Sequence, residues 1–150
     1  MYYEREIRAL NKSKIKYLVV GGVAVNLYGL QRLTRDLDLM IDIKEDNLQK
    51  FVSLMDKLGY GTKISIDEWK GKVAIAFRHR SDDLKQIDIF VRNPIDFETA
   101  YRKKKIFKVR NTNVYCVSLD DLLRMKEIAD RDRDWADIGY LKKYIKERRI

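Results

Sequence analysis

Residues 15–42 allow few local structures. A β-branched apolar run (15–20) stops at two consecutive glycines, an apolar stretch follows, and charged and apolar residues then alternate from Asp36 to Ile43. The run reads as a buried strand ending at Gly21-Gly22, residues 23–30 as a helix closed by Gly29, and residues 36–43 as a second strand. Side chains alternate between the faces of a strand, so Asp36 and Asp38 point one way while Leu37, Leu39 and Ile41 point into a core. The second strand therefore has one apolar face and one acidic face.

The rest of the chain supplies what such strands pack against. Residues 2–11 carry Ile7 and Leu10 at helical spacing, and residues 44–58 repeat Leu48, Phe51, Val52, Met55 and Leu58 up to Gly59. Residues 60–66, 73–79 and 86–91 read as three further strands and residues 97–105 as a helix. Residues 106–110 and 114–117 read as a hairpin about Asn111-Thr112-Asn113, and Pro94 as a turn. Ser118 opens the last helical region, with Asp121 as its capping acid. Helices interleaved with strands of unequal length predict an α/β (α+β) fold, a mixed β-sheet flanked by helices, as a single domain over residues 1–150 without internal repeat or linker.

Composition narrows the class. With 45% hydrophobic and 37% charged residues the chain is globular rather than disordered. No apolar run approaches the roughly 20 residues that span a bilayer, and the segment from Met1 to Glu6 lacks a basic-then-apolar leader, so the expectation is a cytoplasmic protein with no membrane partner. The single Cys116, in the apolar run 114–117, reads as a buried small hydrophobe. The net charge of +9 is concentrated in two clusters: Arg102, Lys103, Lys104, Lys105, Lys108 and Arg110, then Lys142, Lys143, Lys146, Arg148 and Arg149. Such a face either attracts a polyanion by counterion release or serves as a solubilising surface.

The chemistry centres on the acids. Neighbouring carboxylates repel unless a cation or a proton lies between them, and hard oxygens suit magnesium, especially beside substrate phosphates. Otherwise Asp36 and Asp38 face water or pair with Arg32 and Arg35. Gly21 and Gly22 leave room for a phosphate at a strand-to-helix turn, and Arg32, Thr34 and Arg35 are close enough in sequence to reach an anion. Asp88, between Ile87 and Ile89, is a lone acid in a strand, costly there unless its face is a site or is wet. Asp36, Asp38 and Asp88 together can clamp two metal ions about 3.5–4 Å apart, the third carboxylate acting as general base. Asp82, Asp83 and Asp96 are the alternatives for that third acid. Asp130, Asp134 and Asp137 fall on one helical face and are expected to order Lys126, Arg131 and Arg133 rather than bind metal. The sole histidine, His79, reads as surface. Trp69, Tyr101 and Tyr140 read as core or surface rather than as platforms for bases.

Gly-Gly, a helix, Asp-x-Asp and a later lone strand aspartate resemble the nucleotidyltransferase superfamily that includes DNA polymerase beta. Within it, Gly21, Gly22, Ala24, Gly29, Arg32, Thr34, Asp36 and Asp38 resemble the first motif of the AbiEii-type bacterial nucleotidyltransferases. Lys126, Arg131, Arg133, Asp134 and Asp137 resemble their C-terminal block. The resemblance spans residues 15–141 and implies a minimal nucleotidyltransferase fold with Asp36, Asp38 and Asp88 both catalytic and metal-binding. Gly21, Gly22, Arg32, Thr34 and Lys126 would bind nucleotide. From the residues alone, Lys126 is equally a snorkelling lysine. The implied reaction moves a nucleoside monophosphate from a nucleoside triphosphate to a hydroxyl, with Mg2+ (two ions, or Mn2+) as cofactor. The implied acceptor is RNA or tRNA in a toxin–antitoxin setting, with a cognate antitoxin or a homodimer as protein partner. Transfer to a small hydroxylated compound such as an antibiotic, or a catalytically weak binding partner of the same fold, are the other readings. Many relatives carry a helical second domain, so the expectation here is a minimal catalytic core or one that depends on a partner.

Overall fold

The computed structural model describes residues 2–148. Met1 of the N-terminal segment and Arg149 of the second basic cluster lie outside the described residues. In chain order the elements are α1 (Glu4–Lys12), β1 (Tyr17–Val20), α2 (Gly21–Leu27), β2 (Leu37–Ile41), α3 (Glu45–Lys57), β3 (Tyr60–Gly61), β4 (Ala74–His79), β5 (Gln86–Phe90), α4 (Phe97–Arg102), β6 (Lys105–Val109), β7 (Thr112–Cys116), α5 (Leu119–Ala129) and α6 (Trp135–Arg148), with 3-10 turns at Ile66–Glu68 and Asp132–Asp134. The strands form one mixed sheet in the order β3-β4-β5-β2-β1-β7-β6. β2 runs parallel to β5 and β1 parallel to β7, while the other neighbours are antiparallel. This is the mixed sheet with flanking helices that the pattern predicts.

Every residue of β1 is buried, as expected of a central strand covered on both faces. α2 rests on β1 and β2 and meets α5, α6 packs on α5, and α1 packs against β7 and α3. Ile7, Leu10, Leu18, Leu39, Phe51, Met55, Ile75 and Ile89 anchor the core, and Cys116 is fully buried within it. Among the described residues no helix is long and apolar enough to cross a membrane.

Several boundaries differ from the expected ones. β1 begins at Tyr17 because Ile15 closes the preceding turn through a bond from its N–H to Leu10 O at 3.1 Å. α2 begins at Gly21, and β2 begins only at Leu37, which leaves Asp36 just ahead of it. The strand expected over 60–66 pairs only at Tyr60 and Gly61. The chain then turns away so that Trp69 can bury edge-on against Phe77, its indole N–H donating to Ile64 O at 3.3 Å. α4, capped by Asp96, closes at Arg102, which frees Lys105 for β6. The hairpin turns at Arg110-Asn111, with Arg110 in the left-handed region at φ 56°. Thr112, placed in the turn by the sequence pattern, instead pairs with Val109 and is buried. Asp130 ends α5 at φ 44°, so Asp130, Asp134 and Asp137 do not share one helix.

Candidate active site

In the parallel register of β2 and β5, Asp38 is the partner of Asp88, and on its other side Asp38 is the partner of Val20 in β1. The neighbours Leu37, Leu39, Ile87 and Ile89 are fully buried. Asp36, Asp38 and Asp88 line one cavity of about 940 Å³, together with Gly21, Gly22, Arg32, Thr34 and Lys126. All eight residues singled out in the sequence therefore meet in one place, although they come from α2, β2, β5, α5 and the loop before β2.

The two glycines make room for these side chains. Gly21 sits at φ 66°, and a Cβ there would fall 2.2 Å from Asp38 Oδ2. A Cβ on Gly22 would meet Thr34 Oγ1 at 2.5 Å and Arg32 Nη2 at 3.1 Å. The clearance expected to admit a phosphate is thus shared with the protein's own carboxylate, hydroxyl and guanidinium.

The acids are electrostatically crowded. Burial, then the charges of Asp88 and Asp36 and a hydrogen bond to Asp88, push the Asp38 carboxyl up to about 7, while Lys126 opposes the rise. Burial and then Asp88 raise Asp36 as well, opposed by Arg35 and Arg78. Gln86 Nε2 donates to Asp88 Oδ1 at 2.8 Å. Among the described residues no three His, Cys, Asp or Glu side chains already form a metal cage. The donor set nonetheless fits magnesium, which keeps waters and takes one or two carboxylates plus substrate phosphates. Adjacent carboxyls, one of them holding a proton against its ordinary acidity, are what a cation would relieve.

The C-terminal block reaches the same cavity through an ion network centred on buried Lys126, Asp134 and Asp137. Lys126 Nζ lies 3.1 Å from both Asp134 Oδ1 and Asp137 Oδ2. Arg32 Nη2 approaches Asp137 Oδ2 to 3.0 Å, and Arg131 Nε donates to Asp134 Oδ2 at 2.8 Å. Burial alone would raise the Asp134 carboxyl, but its bonds from Arg131 and Lys126 outweigh that and hold it below its ordinary value. Asp134 and Asp137 thus order Lys126 and Arg131, as expected. Asp130 instead lies exposed at the end of α5, and Arg133 is exposed on the cavity wall.

Residues 3–144 match the model of a family described as nucleotidyltransferase of unknown function (DUF6036). The chain belongs to this family. Its fold is similar to that of the lincosamide antibiotic adenylyltransferase LnuA in its lincomycin-bound structure, with 20% identity, 95% of this chain and 94% of that one covered, and a TM-score of 0.67. It is also similar to an antigenic nucleotidyltransferase-like protein from Paracoccidioides brasiliensis (19% identity, 96% and 73% covered, TM-score 0.65). A third likeness is to ANT(2")-Ia in complex with adenylyl-2"-tobramycin (12% identity, 91% and 83% covered, TM-score 0.63). No protein of curated function matches the sequence. At these identities the likeness establishes the nucleotidyltransferase fold.

In this family member two of the alternatives for the third acid, Asp82 and Asp96, are engaged elsewhere. Asp82 accepts from the Tyr2 hydroxyl at 2.9 Å and from Leu84 N at 3.0 Å, and Asp96 caps α4. Asp83 reaches the cavity only as an exposed loop residue. His79 is not simply surface: it is half-buried, edge-on to Tyr60, and its Nδ1 accepts from Ser81 N and Asp82 N. Trp69, Tyr101 and Tyr140 pack in or against the core. Residues that the sequence did not single out also line the cavity. Arg78 and Gln86 are register partners on β4 and β5, and buried Ile75 and Phe77 alternate with Ala74, Ala76 and Arg78 along β4. That alternation was the available signal for Arg78.

Proposed function

We propose that this chain transfers a nucleoside monophosphate from a nucleoside triphosphate to a hydroxyl on a phosphate-bearing acceptor, RNA or tRNA being the leading class. The observation that carries the reading is the register pairing of Asp38 with Asp88, with Asp36 beside them, in the cavity that also holds Lys126, Arg32 and Thr34. Asp36, Asp38 and Asp88 are the residues that would hold magnesium, as one or two ions, or manganese in its place. Bound there, the metal would neutralise the triphosphate and polarise the phosphoryl group.

The chain's own side chains supply the remaining roles. Lys126 Nζ donates to Asp134 Oδ1 and lies 3.1 Å from Asp137 Oδ2, and these two acids hold its ammonium at the cavity wall, where it is a donor for a phosphate oxygen. Arg32, anchored on Asp137, and the Thr34 hydroxyl bind the same anion beside Gly21 and Gly22. Gln86 Nε2 donates to Asp88 Oδ1 and so orients the carboxylate that takes the acceptor hydroxyl's proton.

The acceptor lies over β4, where the small Ala76 is the register partner of Asp88, Ala74 and Arg78 line the cavity, and Arg35 stands near Asp36. Arginines there suit a phosphate-bearing acceptor and repel a polycationic one. A toxin-like role in the cytoplasm, with a cognate antitoxin or a second copy as partner, accords with this reading. A second reading, transfer to a small uncharged or weakly charged antibiotic, draws on the fold shared with lincomycin-bound LnuA over nearly both chains. Incubation with each α-labelled triphosphate, magnesium and either total RNA or an antibiotic panel tests the proposal. Label in RNA supports it, label in a drug selects the second reading, and label in neither, with triphosphate still bound, makes the chain a binding partner.

A further inference from the structure

We infer that Tyr3 is a positioning residue for the acid triad, its hydroxyl holding the backbone ahead of Asp36 in line with β5. The inference rests on the proposed reading of Asp36 as a metal-holding acid.

Of the three acids, Asp36 alone lies outside the sheet ladder. β2 begins at Leu37, paired with Ile87, and residues 30–35 have no regular structure. A carboxylate on such a segment has no strand bonds to fix it, yet a metal or substrate site needs its groups held to within about 0.5 Å. The Tyr3 hydroxyl supplies the missing bonds. It donates to Arg35 O at 2.5 Å and accepts from Gln86 N at 3.1 Å, bridging the two chains just ahead of their first paired residues. One side-chain oxygen therefore extends the β2–β5 ladder to the peptide immediately before Asp36.

The ring cannot withdraw easily. Tyr3 is 2% exposed and precedes α1, and α1 is fastened to the sheet three residues later. There the buried Glu6 carboxylate accepts from the Tyr60 hydroxyl at 2.6 Å and from Lys85 Nζ at 2.9 Å. Removing the Tyr3 oxygen leaves the Arg35 carbonyl and the Gln86 N–H without this partner while the ring keeps its apolar contacts.

The test compares Tyr3→Phe, Tyr60→Phe and Asp36→Asn in the full chain. Manganese affinity is read by electron paramagnetic resonance with a non-hydrolysable triphosphate present. Amide hydrogen exchange at residues 36 and 37 is read in metal-free protein. Tyr3→Phe should weaken manganese binding by about three- to tenfold and speed exchange at these amides, the scale of one lost hydrogen bond. Tyr60→Phe loosens α1 without touching Arg35, so it should lower the melting temperature and change neither readout. Wild-type manganese affinity and exchange in Tyr3→Phe would overturn the inference, as would an equal loss in Tyr60→Phe. Wild-type manganese binding by Asp36→Asn would overturn the reading of that acid, a distinct failure because accelerated exchange in Tyr3→Phe would persist.

Discussion

Lys126 Nζ and Asp134 Oδ1 lie 3.1 Å apart with side-chain exposures of only 7% and 1%, so the cation that opposes the rise of the Asp38 carboxyl is itself held by a buried carboxylate. Lys126→Met therefore removes both a phosphate donor and the charge balance of Asp134 and Asp137. Arg131 and Arg32 remain, which limits the loss of stability to about 1–3 kcal/mol. Affinity for a non-hydrolysable triphosphate should fall about ten- to a hundredfold. Adding Asp137→Asn should recover part of the stability and none of the affinity. Calorimetry and urea unfolding of both variants check this, and stability that does not respond to the second substitution would contradict it.

The raised Asp38 carboxyl gives a pH signature with a definite sign. In the metal-free fold it titrates at about 7 against an ordinary value of 3.8, so the folded state holds the proton more tightly. Its contribution to stability is fully present below 3.8 and is lost as pH rises toward about 7. In chelator, wild type should lose stability relative to Asp38→Asn between pH 4.5 and pH 7.5, measured by urea midpoints, and manganese should reverse the loss at the higher pH. Parallel curves for the two proteins would contradict it.

Gly21→Ala tests the packing under the acids. The backbone at φ 66° disfavours a side chain and the new Cβ would collide with Asp38 Oδ2. A loss of about 1–3 kcal/mol in unfolding free energy is expected, with triphosphate binding lost as Asp38 is displaced. A variant as stable as wild type would mean that Asp38 is free to move aside.

Arg78 separates the acceptor from the nucleotide. If RNA lies over β4, Arg78→Ala should weaken RNA binding and reduce its dependence on log salt by about one contact, while triphosphate affinity stays within twofold. Equal effects on both ligands would move Arg78 to the nucleotide side.

Much of this architecture is legible in local patterns. The alternation around Asp36 and Asp38, the Gly21-Gly22 stop, the Ser118 cap and the lone Asp88 each depend on neighbours in sequence, and all reappear in the fold. What could not be read depends on partners distant in the chain. The ion pair between Arg32 and Asp137, the Tyr3 bridge to Arg35 and Gln86, and the pairing of Arg78 with Gln86 are set by how strands and helices meet. The short β3 and the left-handed Asp130 are set in a related way. Burying Trp69 and breaking α5 to bring Asp134 onto Lys126 outweigh local propensity.

The most direct test of the central claim is calorimetric titration of a non-hydrolysable nucleoside triphosphate into wild type and Asp38→Asn, each with magnesium and with chelator. The account predicts binding to wild type only when magnesium is present, and none to Asp38→Asn in either condition. Equal binding by both proteins, or binding to wild type that ignores magnesium, would contradict it.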